Sequence, residues 1–313
     1  MLSYVIKRIA ISVPILLTVV TLIFLLVRAM PGGPAEAMLG DYASREAVDA
    51  LRQQMGLNDP LLSQYARFLA GLARGDLGVS LTNGAPVAPA IVRVLPYTLQ
   101  LTLAAVFIGL ILGVPLGIFT ALKRNRAADY LGRTLSLAGV SLPSFFLGIL
   151  LMLLFSIKLN LFPVMGGGNL SDPLDNLHHL ALPSLTLGLM MAAYLTRTTR
   201  SSFLNVLGED YIRTARAKGL SEKKVIYKHA LKNALIPIVS FTGVFAIVLV
   251  GNSVLVETVF SRPGLGKMMV GAITQRDYLT LQSVMIVYAG LVVAINLITD
   301  LSYGLFDPRV RYR

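Results

Sequence analysis

The chain has 313 residues, 55% of them hydrophobic and 14% charged, with a mean hydropathy of +0.70. A soluble domain carries about one quarter charged residues, so the composition excludes one and leaves a protein that crosses a membrane several times. The net charge of +12 could suit nucleic acid, but its placement, given below, argues against that; the lack of cysteine excludes disulfides and thiolate metal sites.

Ile9 to Met30 is the first predicted span, apolar for about 20 residues and so able to cross about 30 Å of hydrocarbon. It follows a short basic start with Lys7 and Arg8 and lacks a small-residue cleavage site, so it is expected to be retained. Residues 31–96 are mixed and polar, with Gly and Pro clusters at Pro31–Pro34 and Asn83–Pro86. Ser44 to Met55 and Asp59 to Leu72 read as helices, the first capped by Ser44. Leu51, Met55, Tyr65, Phe68 and Leu72 give this region a modest core, so it is expected to form a small extracytoplasmic subdomain.

Tyr97 to Leu122 is the second span. Gly109, Gly113 and Gly117 recur every four residues on one face, a spacing that lets helix backbones approach closely; packing inside the bundle is the preferred reading. A basic loop, Lys123 to Arg126, leads to the third span, Thr134 to Ile157. Lys158 to His179 is an outer loop with a flexible Gly166-Gly167-Gly168 run. Leu180 to Leu195 is the fourth span, followed by Arg197 and Arg200. Ile238 to Val256 and Leu281 to Tyr303 are the fifth and sixth, and Phe306 to Arg313 forms a basic tail.

Between the fourth and fifth spans lies Glu209 to Pro237, with seven basic and three acidic residues. Lipid cannot solvate such a segment, so it leaves the bilayer. Ile212, Ala215 and Gly219 share a helix face, and a second stripe, with Val225, Ala230 and Ala234, follows a break at Gly219-Leu220-Ser221. Two short helices joined at Gly219 are predicted. With this segment inside, 18 of the 28 basic and six of the 16 acidic residues face the cytoplasm. The whole excess of +12 is then cytoplasmic, as the positive-inside tendency requires. Both termini fall inside, and no aromatic–basic patch for nucleic acid is visible.

Three stretches carry a family resemblance. Arg213-Thr214-Ala215, Gly219 and Leu235-Ile236-Pro237 resemble the cytoplasmic loop of ATP-binding-cassette importer permeases, in the variant lacking its first Glu. VRAMPGGPAE, QMGLNDPLLSQYARFL and GDLGVSL resemble the N-terminal region of the B-type permease of the dipeptide and oligopeptide branch. Phe260 to Gly266 and Arg276-Asp277-Tyr278 resemble signatures of the same branch. The resemblance implies an all-α polytopic fold of six transmembrane helices, of the type I importer permease kind. It implies that Arg213, Thr214, Ala215, Arg216, Ala217, Lys218 and Gly219 form a coupling helix that docks on an ATPase. It also implies the partners: a second, C-type permease, two ATP-binding-cassette ATPase subunits and an extracytoplasmic substrate-binding protein. Residues 97–303 would be the five-helix permease core, with the coupling loop at 197–237.

Nothing in the sequence suggests catalysis. Gly266-Lys267 lacks the upstream glycine and the following Ser or Thr of a phosphate loop, and no other Gly-Lys occurs. His178, His179 and His229 are too few for a metal cage, and no cofactor is expected. The acids nearest the membrane are Glu257 and Asp300, both placed near interfaces within reach of water or headgroups, where Asp300 reads as a snorkelled or paired end residue rather than a proton relay. Asn252 and Glu257 are candidates to line the outer part of a passage, with helix–helix hydrogen bonding the equal alternative. A stand-alone carrier is the competing reading. An importer of peptides, of the dipeptide, oligopeptide or glutathione class, is the reading adopted; the same importer type for nickel complexes, opines or sugar derivatives is the alternative.

Overall fold

The computed structural model describes residues 2–30, 33–40 and 43–306. These are helical almost throughout, with an isolated bridge between Val79 and Pro86. Five helices are long and apolar enough to cross a membrane, and a bent pair makes up to six. They are α1 (Leu2–Ala29), α5 (Val87–Leu122), α8 (Pro173–Leu207), α11 (Leu231–Val259) and α13 (Tyr278–Phe306). The bent pair is α6 (Ala127–Ser141) and α7 (Ser144–Leu151), the latter extended by a π-helical turn, Met152–Lys158. Short helices fill the links: α2 (Pro34–Leu39), α3 (Arg45–Gln54), α4 (Leu61–Ala73), α9 (Asp210–Ala217), α10 (Glu222–Lys224) and α12 (Leu265–Thr274).

The glycine stripe of α5 explains the centre. A Cβ on Gly109 would lie 2.6 Å from Met191, on Gly113 2.7 Å from Leu195, and on Gly117 2.5 Å from Thr199. No side chain fits there, so α5 and α8 pack backbone to backbone, and the packing reading of the stripe holds. The pairing rises together along both helices, so α5 and α8 run parallel. Both begin at the end of the bundle that carries α12. Both finish at the end that carries α9. Leu101, Leu187, Met191, Leu195, Phe203 and Leu249 are buried around this contact.

Several expectations change in the structure. The third span is not straight: α6 and α7 meet at 103°. Pro143 has no N–H to give, and it pushes Leu142 into an extended conformation, φ −86° and ψ 127°. α8 outruns the predicted Leu180–Leu195 at both ends. Its start is capped by Asp172, whose side chain accepts from the N–H groups of Leu174 and Asp175. α5 begins ten residues before Tyr97, because Val87 and Ile91 already bury an apolar face, and Pro96 lies inside the helix. Ser44 does cap α3, accepting from the Ala47 N–H. The short helix after Ser221 does not stop before the fifth span: α10 runs on through a π-helical stretch, Val225–Ala230, into α11, making one helix from Glu222 to Val259 with Pro237 inside it. The predicted basic tail, with Arg309, Arg311 and Arg313, lies outside the described residues.

Two ion pairs tie helices at the α9 end. Arg8 of α1 meets Asp300 of α13 at 2.8 Å, so Asp300 is paired as expected. Asp129 at the start of α6 is 0% exposed. Both its oxygens accept from Arg200 of α8, at 2.7 and 2.8 Å, and Oδ2 also accepts the Asn125 N–H.

Candidate functional site

The cytoplasm-type loop is built from a few anchors. α8 ends at Leu207 and Glu209 turns the chain in extended conformation. In α9, Ile212 and Ala215 are buried, one turn apart, against Phe203, Val225, Ala230 and Ala234 of the main core. Arg213, Thr214, Arg216, Ala217 and Lys218 stay exposed. The helix thus spends its apolar face on the bundle and offers a basic one outward.

Its end is a Schellman motif. The Gly219 N–H donates to Arg216 O at 2.9 Å and the Leu220 N–H to Ala215 O at 3.3 Å. Gly219 has φ +76°, the left-handed geometry expected of it. Leu220 packs onto the core behind it. Arg216 crosses the turn to Glu222 at 2.8 Å, and Asn233 of α11 donates to the Tyr211 hydroxyl at 2.7 Å. The seven residues from Arg213 to Gly219 therefore form an elbow, separated by the turn at Gly219–Ser221 from the 38-residue helix Glu222–Val259. A cavity of about 650 Å³ opens between α6 and α8, lined by Arg133, Tyr194, Arg197, Arg200 and Ser201.

The opposite end is closed by buried polar contacts. Glu257 is 0% exposed, which corrects the expectation that water or headgroups reach it. Thr98 donates to Glu257 Oε1 at 2.7 Å, and the N–H groups of Gly266 and Lys267 donate to Oε2 at 2.8 and 3.1 Å. The carboxylate thus sits on the N-terminus of α12, where the unpaired N–H groups and the helix dipole favour negative charge. Arg262 is fully buried as well. It donates to Gly167 O at 3.1 Å and to Gln100 Oε1 at 3.3 Å, and its guanidinium lies over the Tyr97 ring. Burial lowers that guanidinium to about 10, with Tyr97 and Glu257 partly offsetting it. The Gly166–Gly168 run is therefore packed rather than loose: a Cβ on Gly167 would lie 2.5 Å from Pro263 and 2.8 Å from Tyr97. His178 and His179 each contact a backbone carbonyl, of Leu161 and Asp175, and no metal-binding group of His, Asp or Glu occurs among the described residues.

Asn252 is half-buried on α11. It accepts from Ser144 at the bend of α7 and donates to Val248 O. The structure brings it to the break in the third span, and sets it apart from the Glu257 network. The Asp129–Arg200 and Arg262–Gly167 contacts were not anticipated, since their partners lie 71 and 95 residues apart.

A bundle of apolar helices, a bend in one span and an exposed basic elbow define a polytopic membrane transport subunit. Residues 113–312 match the family described as binding-protein-dependent transport system inner membrane component, and residues 1–102 match its N-terminal companion. The chain belongs to that family, as a non-catalytic permease of the inner membrane. The glutathione transport system permease protein GsiC of Salmonella paratyphi A is 42% identical over 314 residues, 100% of both chains. Its Escherichia coli K12 counterpart is 41% identical over 313 residues, again 100% of both. Among solved structures, the inward-facing MetNI methionine ABC transporter matches with a TM-score of 0.56 at 22% identity, over 69% of this chain and 96% of that one. That likeness supports the type I importer permease fold.

Proposed function

We propose that the chain is one of two permease halves of an importer for peptide-class solutes, with glutathione, the solute named for its relatives, as the first substrate to try. A substrate-binding protein delivers the solute at the α12 end. Two ATP-binding-cassette ATPases grip the Arg213–Gly219 elbow at the other. The observation that carries this reading is the elbow: basic outside, anchored by Ile212 and Ala215 in the core, and followed after one tight turn by a helix long enough to cross a membrane.

Six crossings are the reading the packing supports. α5 ends where α9 lies and α8 begins at the far end, which supports a crossing by the chain between them. The bent pair α6–α7 is that traverse, and both termini then share the elbow's side, which the charge distribution marks as cytoplasmic. The region of α2–α4 is extracytoplasmic on the same reading. Asn252, at the bend of α6–α7, is proposed to line the passage. Glu257 is proposed to hold the outer end closed through α12, and to reach the passage only in another state. Reconstitution of the four-subunit assembly in vesicles tests this. ATP-dependent uptake of glutathione on adding the binding protein is expected; uptake by the chain alone without ATP would overturn it.

A further inference from the structure

The cavity of about 650 Å³ between α6 and α8 adjoins the proposed passage. Tyr194, on its wall, packs against Phe245 of α11 with ring centroids 4.8 Å apart, and against Phe241 at 6.5 Å. Phe241, Phe245 and Asn252 recur at intervals of four and seven residues, on one face of α11. That face carries Asn252 to the bend of the third span, where Ser144 donates to it. The cavity therefore continues the Asn252 line towards the α9 end of the bundle. Arg197 and Ser201 lie within about three turns of the end of α8 at Leu207.

Its charge is one-sided. Arg200 is held by both oxygens of the buried Asp129. Arg133 comes within only 3.7 Å of the same carboxylate and otherwise lies over the Tyr130 ring. Arg197 is exposed and meets no acid and no hydrogen-bond acceptor among the described residues. One carboxylate thus stands against three guanidiniums, and two positive charges stay unmatched. Thr198 and Ser201 add hydroxyls that have no partner among the described residues. A cleft of one sign between low-dielectric walls concentrates its field and draws anions in. Guanidinium forks match carboxylates in particular. Asp129 is 0% exposed, so the cavity offers no acid to receive an ammonium. Its volume is of the order of small-molecule sites, about 300–1,000 Å³, rather than of a bare ion.

We propose that this cavity is an inner vestibule of the passage and selects peptide-class solutes that carry two carboxylates, one held by Arg133 and the other by Arg197. The body of the solute rests against Tyr194, Thr198 and Ser201. The proposal rests on the transport reading above and narrows its substrates to dicarboxylates. Neutral and lysine-bearing peptides leave the two guanidiniums unmatched and are held poorly. The phosphate of an anionic lipid shares this chemistry, so the test separates the two sources.

The test is equilibrium binding of radiolabelled glutathione, which bears two carboxylates, to the nucleotide-free four-subunit complex in phosphatidylcholine nanodiscs, with the binding protein left out. Glutathione should bind, and its diethyl ester, with both carboxylates masked, should not compete. Arg133→Gln and Arg197→Gln should each weaken binding about tenfold, as loss of one charge-assisted hydrogen bond does. Arg124→Gln, exposed on the neighbouring basic loop and outside the cavity, should leave it unchanged. Adding phosphatidylglycerol to the nanodiscs should not alter the affinity. No binding, equal competition by the ester, unchanged affinity in both cavity variants, or displacement by phosphatidylglycerol would each overturn the proposal. ATP-dependent uptake with the binding protein present, in the same preparations, reports separately on the transport reading.

Discussion

Gly219 turns the chain at φ +76°, and no atom lies within 4 Å of where its Cβ would be. Any effect of a side chain there is therefore backbone strain alone, about 1–2 kcal/mol for an ordinary L residue. Gly219→Val should lower uptake per ATP hydrolysed, while Gly219→Asn, which tolerates the left-handed region, should stay near wild type. A coupled uptake and hydrolysis assay separates the two. Asp129 behaves differently because it is buried and paired. Asp129→Ala leaves Arg200 facing a cavity without its carboxylate, a change that costs about 3–5 kcal/mol. A large drop in the unfolding temperature of the purified chain is expected, against little change for Asp210→Ala, whose pair with Arg213 is exposed.

At the scale of elements, the α5–α8 contact depends on glycine. Gly113→Ala places a Cβ 2.7 Å from Leu195 and 2.9 Å from Ala192 O, and overpacking of this kind costs about 1–3 kcal/mol. Gly251→Ala meets nothing within 4 Å and should be neutral. Thermal unfolding in detergent compares them. At the other end, Asp277 clasps the Ser80–Thr82 turn onto α13. Burial pushes its carboxyl up, but hydrogen bonds from Ser80, the Leu81 N–H and Thr280 outweigh that and hold it below the usual carboxylate range. A lowered folded-state value means the clasp is fully present above the ordinary carboxylate pKa and is lost only as pH falls through the lower one. Amide exchange of Leu81 and Thr82 should therefore show constant protection from about pH 5 to 8, and Asp277→Asn should reduce it throughout that window.

The whole molecule was partly legible from its residues. Apolar runs located the five long helices and the bent pair, because lipid forces the chain to satisfy its backbone within helices. The elbow was visible through the spacing of Ile212 and Ala215 and the glycine after them. Pro143 was visible too, yet a proline inside an apolar run does not say whether a span kinks or breaks; the packing of α7 on α8 and α11 decides that. Glu257 was misplaced for a related reason. Its position near a helix end suggested water, and only the fold brings Thr98 and the start of α12 around it. Pairs such as Asp129 with Arg200 leave no trace in local pattern.

The central claim is that the Arg213–Gly219 elbow is where an ATPase subunit grips this chain. The chain has no cysteine, so Arg213→Cys provides a single thiol in an otherwise silent background. In the assembled complex that thiol should crosslink to a cysteine placed on the ATPase surface, with a yield that changes on adding ATP, and should resist a membrane-impermeant maleimide in intact spheroplasts. Labelling from outside, with no crosslink in any nucleotide state, would contradict the account.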